Sequence, residues 1–423
     1  MSGRLIVGLL PWLLVGVAGG LVACPSHDDG PLTGVVRGSL SYQARLPTVQ
    51  DGTLHLDRVE ILPAAGLLAL VVDGDNSVMG SGRLDKDGTF RIDVTPPPNG
   101  DERLLFSTLW TPDPAGSRMD LAVLDGSGGD IGTVQANPWT WSAGVPVDGL
   151  VGDLTITEAQ GSGAMYLFLF TTSAMQAILA DLCGGDESCL RPLAVLWHPG
   201  ASWSCGTCYD RDAPQAIGTD GSITLGQSLF VGGQDGGASA WGYAVVLHEL
   251  GHYAAANWSR DDSPGGPHAF GTRLPPPFAW SEGWASFFAV DTFNQWNRDS
   301  LPLYWDLQNG NSVWIDYQKA AYSGGDLLRP DPRGGLGQDL DESYVACMLW
   351  HLCEGGPDEA DLGTGTILEA FGSPRLRNLD RGAKGADFVD FVDALVCAGH
   401  ADPAERVVTE ALGFPYDDRP LCP

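Results

Sequence analysis

Positive charge is scarce in this sequence. Lys and Arg number 23 against 53 Asp and Glu, a formal net charge of -30 over 423 residues. A surface that grips nucleic acid needs clustered Lys and Arg, so nucleic acid is excluded as a partner. A polybasic patch against anionic lipid is excluded on the same ground. The acidic surplus reads as solubility through self-repulsion, with selection for cationic substrates as the alternative. Beyond residue 24 no run of about 18 apolar residues occurs, so the mature chain is expected not to span a bilayer. Internal repeats and low-complexity tracts are absent. No Gly-x-Ser-x-Gly elbow or catalytic-cysteine context is present, which leaves serine and cysteine nucleophiles without support. Histidine is sparse too, with 8 in the chain, so two at metal-ligand spacing stand out.

The start of the chain breaks the acidic pattern. Arg4 precedes an almost wholly apolar stretch from Leu5 to Val17, and small residues lead into Leu21-Val22-Ala23-Cys24. Pro11 and several Gly interrupt the run, which is short for a membrane helix. The segment resembles a bacterial lipoprotein signal at 1–23, cut before Cys24, whose thiol then receives lipid. An ordinary signal peptide with an incidental Cys is the alternative. A polar tether follows at 24–33. The resemblance implies an exported protein held in the cell envelope through lipid.

Setting Cys24 aside leaves eight of the nine Cys, an even number suited to disulfides in an oxidising compartment. Cys183 with Cys189, Cys347 with Cys353, and Cys397 with Cys422 are the nearest pairings in sequence. Cys205-Gly-Thr-Cys208 reads as a further structural disulfide, with a redox or zinc role as the alternative.

The length suggests two or three domains. Residues 34–150 carry short apolar runs separated by turn residues, the pattern of a β-sandwich. In its clearest piece, Asp87-Gly88 marks a hairpin turn and Phe90, Ile92 and Val94 alternate inward. A tight turn explains Asp85 and Asp87 better than a calcium site does. This stretch resembles the carboxypeptidase-regulatory, transthyretin-like β-sandwich. Residues 151–423 read as mainly helical with a small sheet, so the expected fold is multidomain α+β. Helices are expected at Gly163 to Leu182, Ser239 to Asn257 and Trp280 to Trp296. Strands are expected at Leu193 to Trp197 and Ile223 to Leu225. Beyond residue 300 the patterns are short and helical: Glu342 to Cys353, Gly365 to Phe371, Ala386 to Cys397 and Pro403 to Leu412.

His248-Glu249-Leu250-Gly251-His252 decides the functional reading. On a helix, positions i and i+4 share a face, so two imidazoles can aim at one cation about 2.0–2.1 Å away. Glu249, beside them, is placed to hold a water on that cation. Two buried histidines satisfied by hydrogen bonds are the bland alternative. A third ligand is offered by Trp280-Ser-Glu282-Gly-Trp-Ala285. A carboxylate among Trp280, Trp284, Phe287 and Phe288 is costly to bury without a cation, although the dipole of a helix N-terminus also favours Glu. Ala255 and Trp258 stand where the extended metzincin motif needs Gly and His, which excludes that class.

The HELGH and SEGWA segments together resemble the gluzincin superfamily of zinc metallopeptidases. That resemblance implies Zn2+ held by His248, His252 and Glu282. It implies Glu249 as the base that takes a proton from zinc-bound water, and hydrolysis of a peptide or protein substrate. It also implies that an extended substrate pairs with an edge strand near Ser222 to Leu225. One departure is Ser286, at the position where thermolysin-like members carry an Asp that orients a zinc histidine; Asp291 is a distant substitute. His268 lies between the two helical segments. It is a candidate catalytic residue donating to the oxyanion, with metal ligation or turn capping as alternatives. Tyr253, Tyr344 and His351 are further donors for which core packing is the better default. Two other functions stay open: a non-catalytic surface binding protein with closed, structural zinc, and a zinc hydrolase of a non-peptide amide.

Overall fold

A computed structural model describes residues 33–422 apart from 51–52, 111–119, 128–134, 213–214, 218–222, 226, 234–237, 297–302, 309–310, 355–359 and 418. The expected signal segment and Cys24 lie outside the described residues. The fold is mixed α+β, with helices and several small sheets.

Two four-stranded sheets lie early in the chain. One runs Leu150–Ile156, Gly34–Gln50, Thr53–Pro63, with Thr89–Val94 also paired to Gly34–Gln50; the other runs Thr140–Gly144, Arg103–Ser107, Leu68–Val72, Val78–Arg83. Their apolar faces share one core, in which Phe90 and Phe106 meet edge to face at 5.5 Å. The Asp87-Gly88 turn forms as expected: Gly88 adopts φ 77, and Asp85 N donates to Thr89 O at 2.8 Å. Thr89 N and Oγ1 both donate to Asp87 Oδ1, so the turn itself uses that carboxylate. Phe90, Ile92 and Val94 are buried between exposed neighbours. The turn does not close a hairpin, however. Val78–Arg83 pairs with Leu68–Val72 while Thr89–Val94 pairs with Gly34–Gln50, so the turn carries the chain from one sheet to the other.

A five-stranded sheet follows, in the order Cys208–Asp210, Ser228–Phe230, Leu193–Trp197, Leu121–Asp125, Leu109–Trp110. Its two central strands run parallel with Leu193 opposite Leu121, and nearly every residue in them is buried. Continuous apolar runs of this kind mark strands covered on both faces. The expected division at 150 therefore cuts across shared hydrogen bonding. Leu109–Trp110 and Leu121–Asp125 belong to the sheet of residues beyond 190, and Leu150–Ile156 belongs with Gly34–Gln50. An apolar run announces a strand, but its partner is not encoded locally.

The helices include α1 (Ser162–Ala177), α2 (Tyr243–Trp258), α3 (Pro276–Trp296), α4 (Glu342–Cys353), α5 (Gly363–Phe371), α6 (Pro374–Asn378) and α7 (Phe388–Cys397). With its continuation to Leu182, α1 is long and apolar enough to cross a membrane by length and composition, but 67% of its apolar window is buried inside the protein. Beyond residue 300 the helical expectation misses a β-hairpin. Leu303–Gln308 pairs antiparallel with Asn311–Asp316, and the Asn309-Gly310 dipeptide between them is the signal that could have revealed it.

Among the described residues three disulfides form: Cys183–Cys189, Cys205–Cys208 and Cys397–Cys422. Cys347 and Cys353 are buried free thiols, contrary to the expected pairing. Both sit on α4 six positions apart, a rise of about 9 Å, whereas a disulfide needs Cα atoms within about 7 Å.

Candidate metal centre

Two glycines bring three helices together. A Cβ on Gly251 of α2 would lie 2.6 Å from Ala285 Cα of α3, and a Cβ on Gly283 of α3 would lie 2.6 Å from Val345 Cβ of α4. These are the glycines of HELGH and SEGWA. Their bare backbones let α2 and α4 approach α3 from two sides, so residues from all three helices reach one cavity.

His248 and His252 project from one face of α2, and Glu282 meets them from α3. The helix α3 starts at Pro276, which places Glu282 in its second turn rather than at its N-terminus. His248 Nε2 is 3.1 Å from Glu282 Oε2, His252 Nε2 is 3.3 Å from the same oxygen, and the two Nε2 atoms are 3.2 Å apart. His248 and Glu282 are buried. A tetrahedral ion with donors about 2.0–2.1 Å away sets those donors about 3.3–3.4 Å apart. The observed triangle fits such an ion.

Both histidines are oriented by serines of α3. His248 Nδ1 lies 3.0 Å from Ser286 Oγ and His252 Nδ1 lies 3.4 Å from Ser281 Oγ. Ser281 Oγ in turn donates to Asp261 Oδ2 at 3.2 Å. A ligating Nε2 leaves the proton on Nδ1, which these hydroxyls can accept. Ser286 therefore takes the orienting place left open in the sequence. Asp291 does not: its carboxylate is engaged by Thr364 and Gln295 on the far side of α3.

Without an ion the cluster stores a proton. Burial opposes charge on His252, but the Glu282 hydrogen bond, with the charges of Glu282, Glu249 and Asp261, outweighs it and pushes the imidazole up to about 9. Burial also works against ionised Glu282. Hydrogen bonds and charge from the two histidines prevail and hold it well below the usual carboxylate range. Glu249 behaves oppositely. Burial raises its carboxyl, and the nearby histidines offset that only in part. Glu249 Oε2 accepts the Tyr209 backbone N–H at 2.8 Å.

The cavity beside these groups has a volume of about 560 Å³ and is bordered by Glu249, His268, Tyr304, Asp306 and Glu342 among others. His268 Nε2 is 3.5 Å from Glu282 Oε2, and its Nδ1 lies 3.1 Å from Gly266 O. Sequence reasoning missed Tyr209, Ser281, Tyr304 and Glu342 as site residues. Tyr209 acts through its backbone, which no side-chain pattern reveals. Tyr304 sits on the hairpin that the helical pattern hides, and Glu342 opens a helix as an ordinary first-turn acid. Tyr253 and Tyr344 are structural, donating to Arg191 O and Leu412 O. The strand expected to receive substrate, Ile223–Leu225, lies at the edge of a separate three-stranded sheet; Ser222 lies outside the described residues. Among the described residues two sheet edges border the cavity, Cys208–Asp210 and Leu303–Gln308.

No protein-family model and no curated protein matches the chain. Among solved structures it is similar to the major plantain pollen allergen over 30% of this chain and 93% of that one, at 18% identity and a TM-score of 0.16. A likeness that slight carries no argument about function.

Proposed function

We propose that the chain is an exported zinc-dependent peptidase of gluzincin type, anchored to the cell envelope by lipid on Cys24. One observation carries the reading: two imidazole nitrogens and one carboxylate oxygen form a triangle of 3.1 to 3.3 Å sides on the wall of an accessible cavity. A closed, structural site surrounds its ion with four protein donors. Here three donors face open space, which favours the hydrolase over the binding-protein alternative. Three disulfides accord with export to an oxidising compartment.

His248, His252 and Glu282 would hold the ion, and the mixed His/carboxylate donor set suits zinc. When bound, zinc supplies Lewis acidity that polarises a carbonyl and makes water a stronger acid. Glu249 supplies the base. The Tyr209 N–H fixes its Oε2 and leaves Oε1 to take a proton from water and return it to the leaving amine. A carboxyl raised by burial suits both halves of that transfer. Tyr304 is an uncharged donor bordering the cavity, suited to the carbonyl oxygen as it gains charge. The sheet edges at the cavity, Leu303–Gln308 and Cys208–Asp210, would offer backbone groups to an extended peptide, apart from the Tyr209 N–H that Glu249 already holds. Cleavage of an amide outside a peptide would use the same groups, and peptide is preferred because a sheet edge borders the cavity.

Glu249→Gln tests the assignment. The variant is expected to keep its metal by elemental analysis and lose at least ~1000-fold in peptide-library cleavage, a loss of the order expected for removing an essential proton-transfer group. Wild-type cleavage by that variant would remove Glu249 from the chemistry.

A further inference from the structure

Glu342 is not used by the mechanism above. It is the first residue of α4, it is 1% exposed, and it borders the cavity. Its Oε2 has no hydrogen-bond partner. His268 Nε2 stands 3.7 Å away, outside hydrogen-bonding reach. Buried carboxylate oxygens in folded proteins are almost always partnered, and an orphan is expensive. A proton on Glu342 would remove its charge, but an O–H at Oε2 would reach His268 Nε2 only at 3.7 Å. A cation satisfies charge and lone pair together.

The surroundings point the same way. Besides Asp306, four carboxylates border the cavity, those of Glu249, Asp261, Glu282 and Glu342, and among the described residues no Lys or Arg does. One divalent ion at the His248, His252 and Glu282 donors offsets only part of that charge. The atoms of His268, Glu282 and Glu342 lie within 4.8 Å of one another. Two of those separations, 3.5 Å and 3.7 Å, are only a few tenths of an ångström wider than a tetrahedral ion requires. His268 comes from a loop in which Gly265 and Gly266 both take positive φ, and it is partly exposed, so a small closure completes the set.

We propose that His268, Glu282 and Glu342 form a second divalent-cation site, sharing the Glu282 carboxylate with the first. A carboxylate has two oxygens and four lone-pair directions, enough to serve two ions. Paired ions about 3.5–4 Å apart are a known arrangement in hydrolytic sites. A mixed imidazole and carboxylate set suits zinc, and manganese as well. In this role His268 is a ligand and not a donor to the substrate oxygen. An ammonium group of a substrate is the competing occupant of the Glu342 pocket. It accounts for the carboxylates but gives the inward-facing imidazole no duty.

Metal counting tests the second site without relying on turnover. The metal-stripped full chain is titrated with Co2+, and zinc per chain is measured after equilibrium dialysis against buffered free Zn2+. Two equivalents are expected for the wild type, one for Glu342→Gln and one for His268→Ala. For His248→Ala, loss of the first equivalent is expected. A wild type that saturates at one equivalent overturns the second site while leaving the proposed peptidase intact. A wild type that binds none overturns both. Two equivalents in a folded Glu342→Gln chain also overturn the proposal. If that chain then cleaves peptides with basic residues selectively less well, Glu342 serves a substrate cation instead. Should Glu342→Gln fail to fold by circular dichroism, His268→Ala, on the outer loop, takes its place: one equivalent supports the site and two overturn it.

Discussion

The closest test of how the proposed metal centre is built is Gly251→Ala. The added methyl would sit 2.6 Å from Ala285 Cα and 3.1 Å from both Ala285 Cβ and Ala285 O. Carbon atoms in good contact are about 3.5–4.0 Å apart, so α2 and α3 must separate by about 1 Å. Overpacking of this size costs about 1–3 kcal/mol, offset by about 1 kcal/mol of improved helix propensity. The net change in stability is therefore small, and melting temperature is the weaker readout. Metal affinity is the stronger one. The imidazoles ride on α2 and the carboxylate on α3, so a 1 Å separation stretches contacts of 3.1 and 3.3 Å to about 4 Å, beyond what one tetrahedral ion bridges. We expect roughly a hundredfold weaker zinc binding, in line with the penalty for disturbing ligand orientation, measured by competition against a chromophoric chelator. Gly365→Ala in α5 is the control, because a Cβ there meets nothing within 4 Å; it should stabilise the protein by up to about 1 kcal/mol and leave the metal untouched. Wild-type zinc affinity in Gly251→Ala would refute the claim that this glycine sets the ligand geometry.

Further outcomes are expected around the same centre. Ser286→Ala, which removes the partner of His248 Nδ1, should weaken zinc binding ~10–100-fold without unfolding the chain; Ser281→Ala should do the same through His252, and equilibrium dialysis would reveal either. Zinc uptake should release a proton at neutral pH. His252 in the metal-free protein titrates near 9 and so carries its proton at pH 7, which the ion must expel. Affinity should then rise about tenfold per pH unit up to about 9 and level off above it, and calorimetry in buffers of different ionisation enthalpy would count the proton. The sign for metal-free stability is the reverse. The raised imidazole contributes fully below its ordinary value of 6.5 and loses that contribution as pH climbs through 9. Zinc uptake without proton release at pH 7 would contradict the ion-pair picture.

The three side chains of the triangle were legible in the sequence because each obeys a local rule. His248 and His252 share a helical face, and Glu282 is a charge stranded among tryptophans. What escaped depends on distant pairing. Glu342 looks like an ordinary helix-start acid until α4 packs on Gly283 and brings it to the cavity beside Glu282. The Tyr209 amide carries no side-chain signal at all. Cys347 and Cys353 are close in sequence but stay unpaired because α4 holds their thiols apart. The Asp87-Gly88 dipeptide announces a turn, yet whether that turn joins partners in one sheet or crosses between two depends on Gly34–Gln50, some forty residues earlier.

The shared sheet has a practical consequence for anyone dissecting this protein. Leu121–Asp125 lies between Leu193–Trp197 and Leu109–Trp110, so a truncated fragment beginning at 151 loses an interior β-strand. The flank of Leu193–Trp197 would then present unpaired amides and carbonyls, an invitation to intermolecular strand addition. An expression fragment meant to isolate the histidine-bearing half must keep residues 109–125, and excising the early β-sheets as a dispensable module is expected to give aggregates.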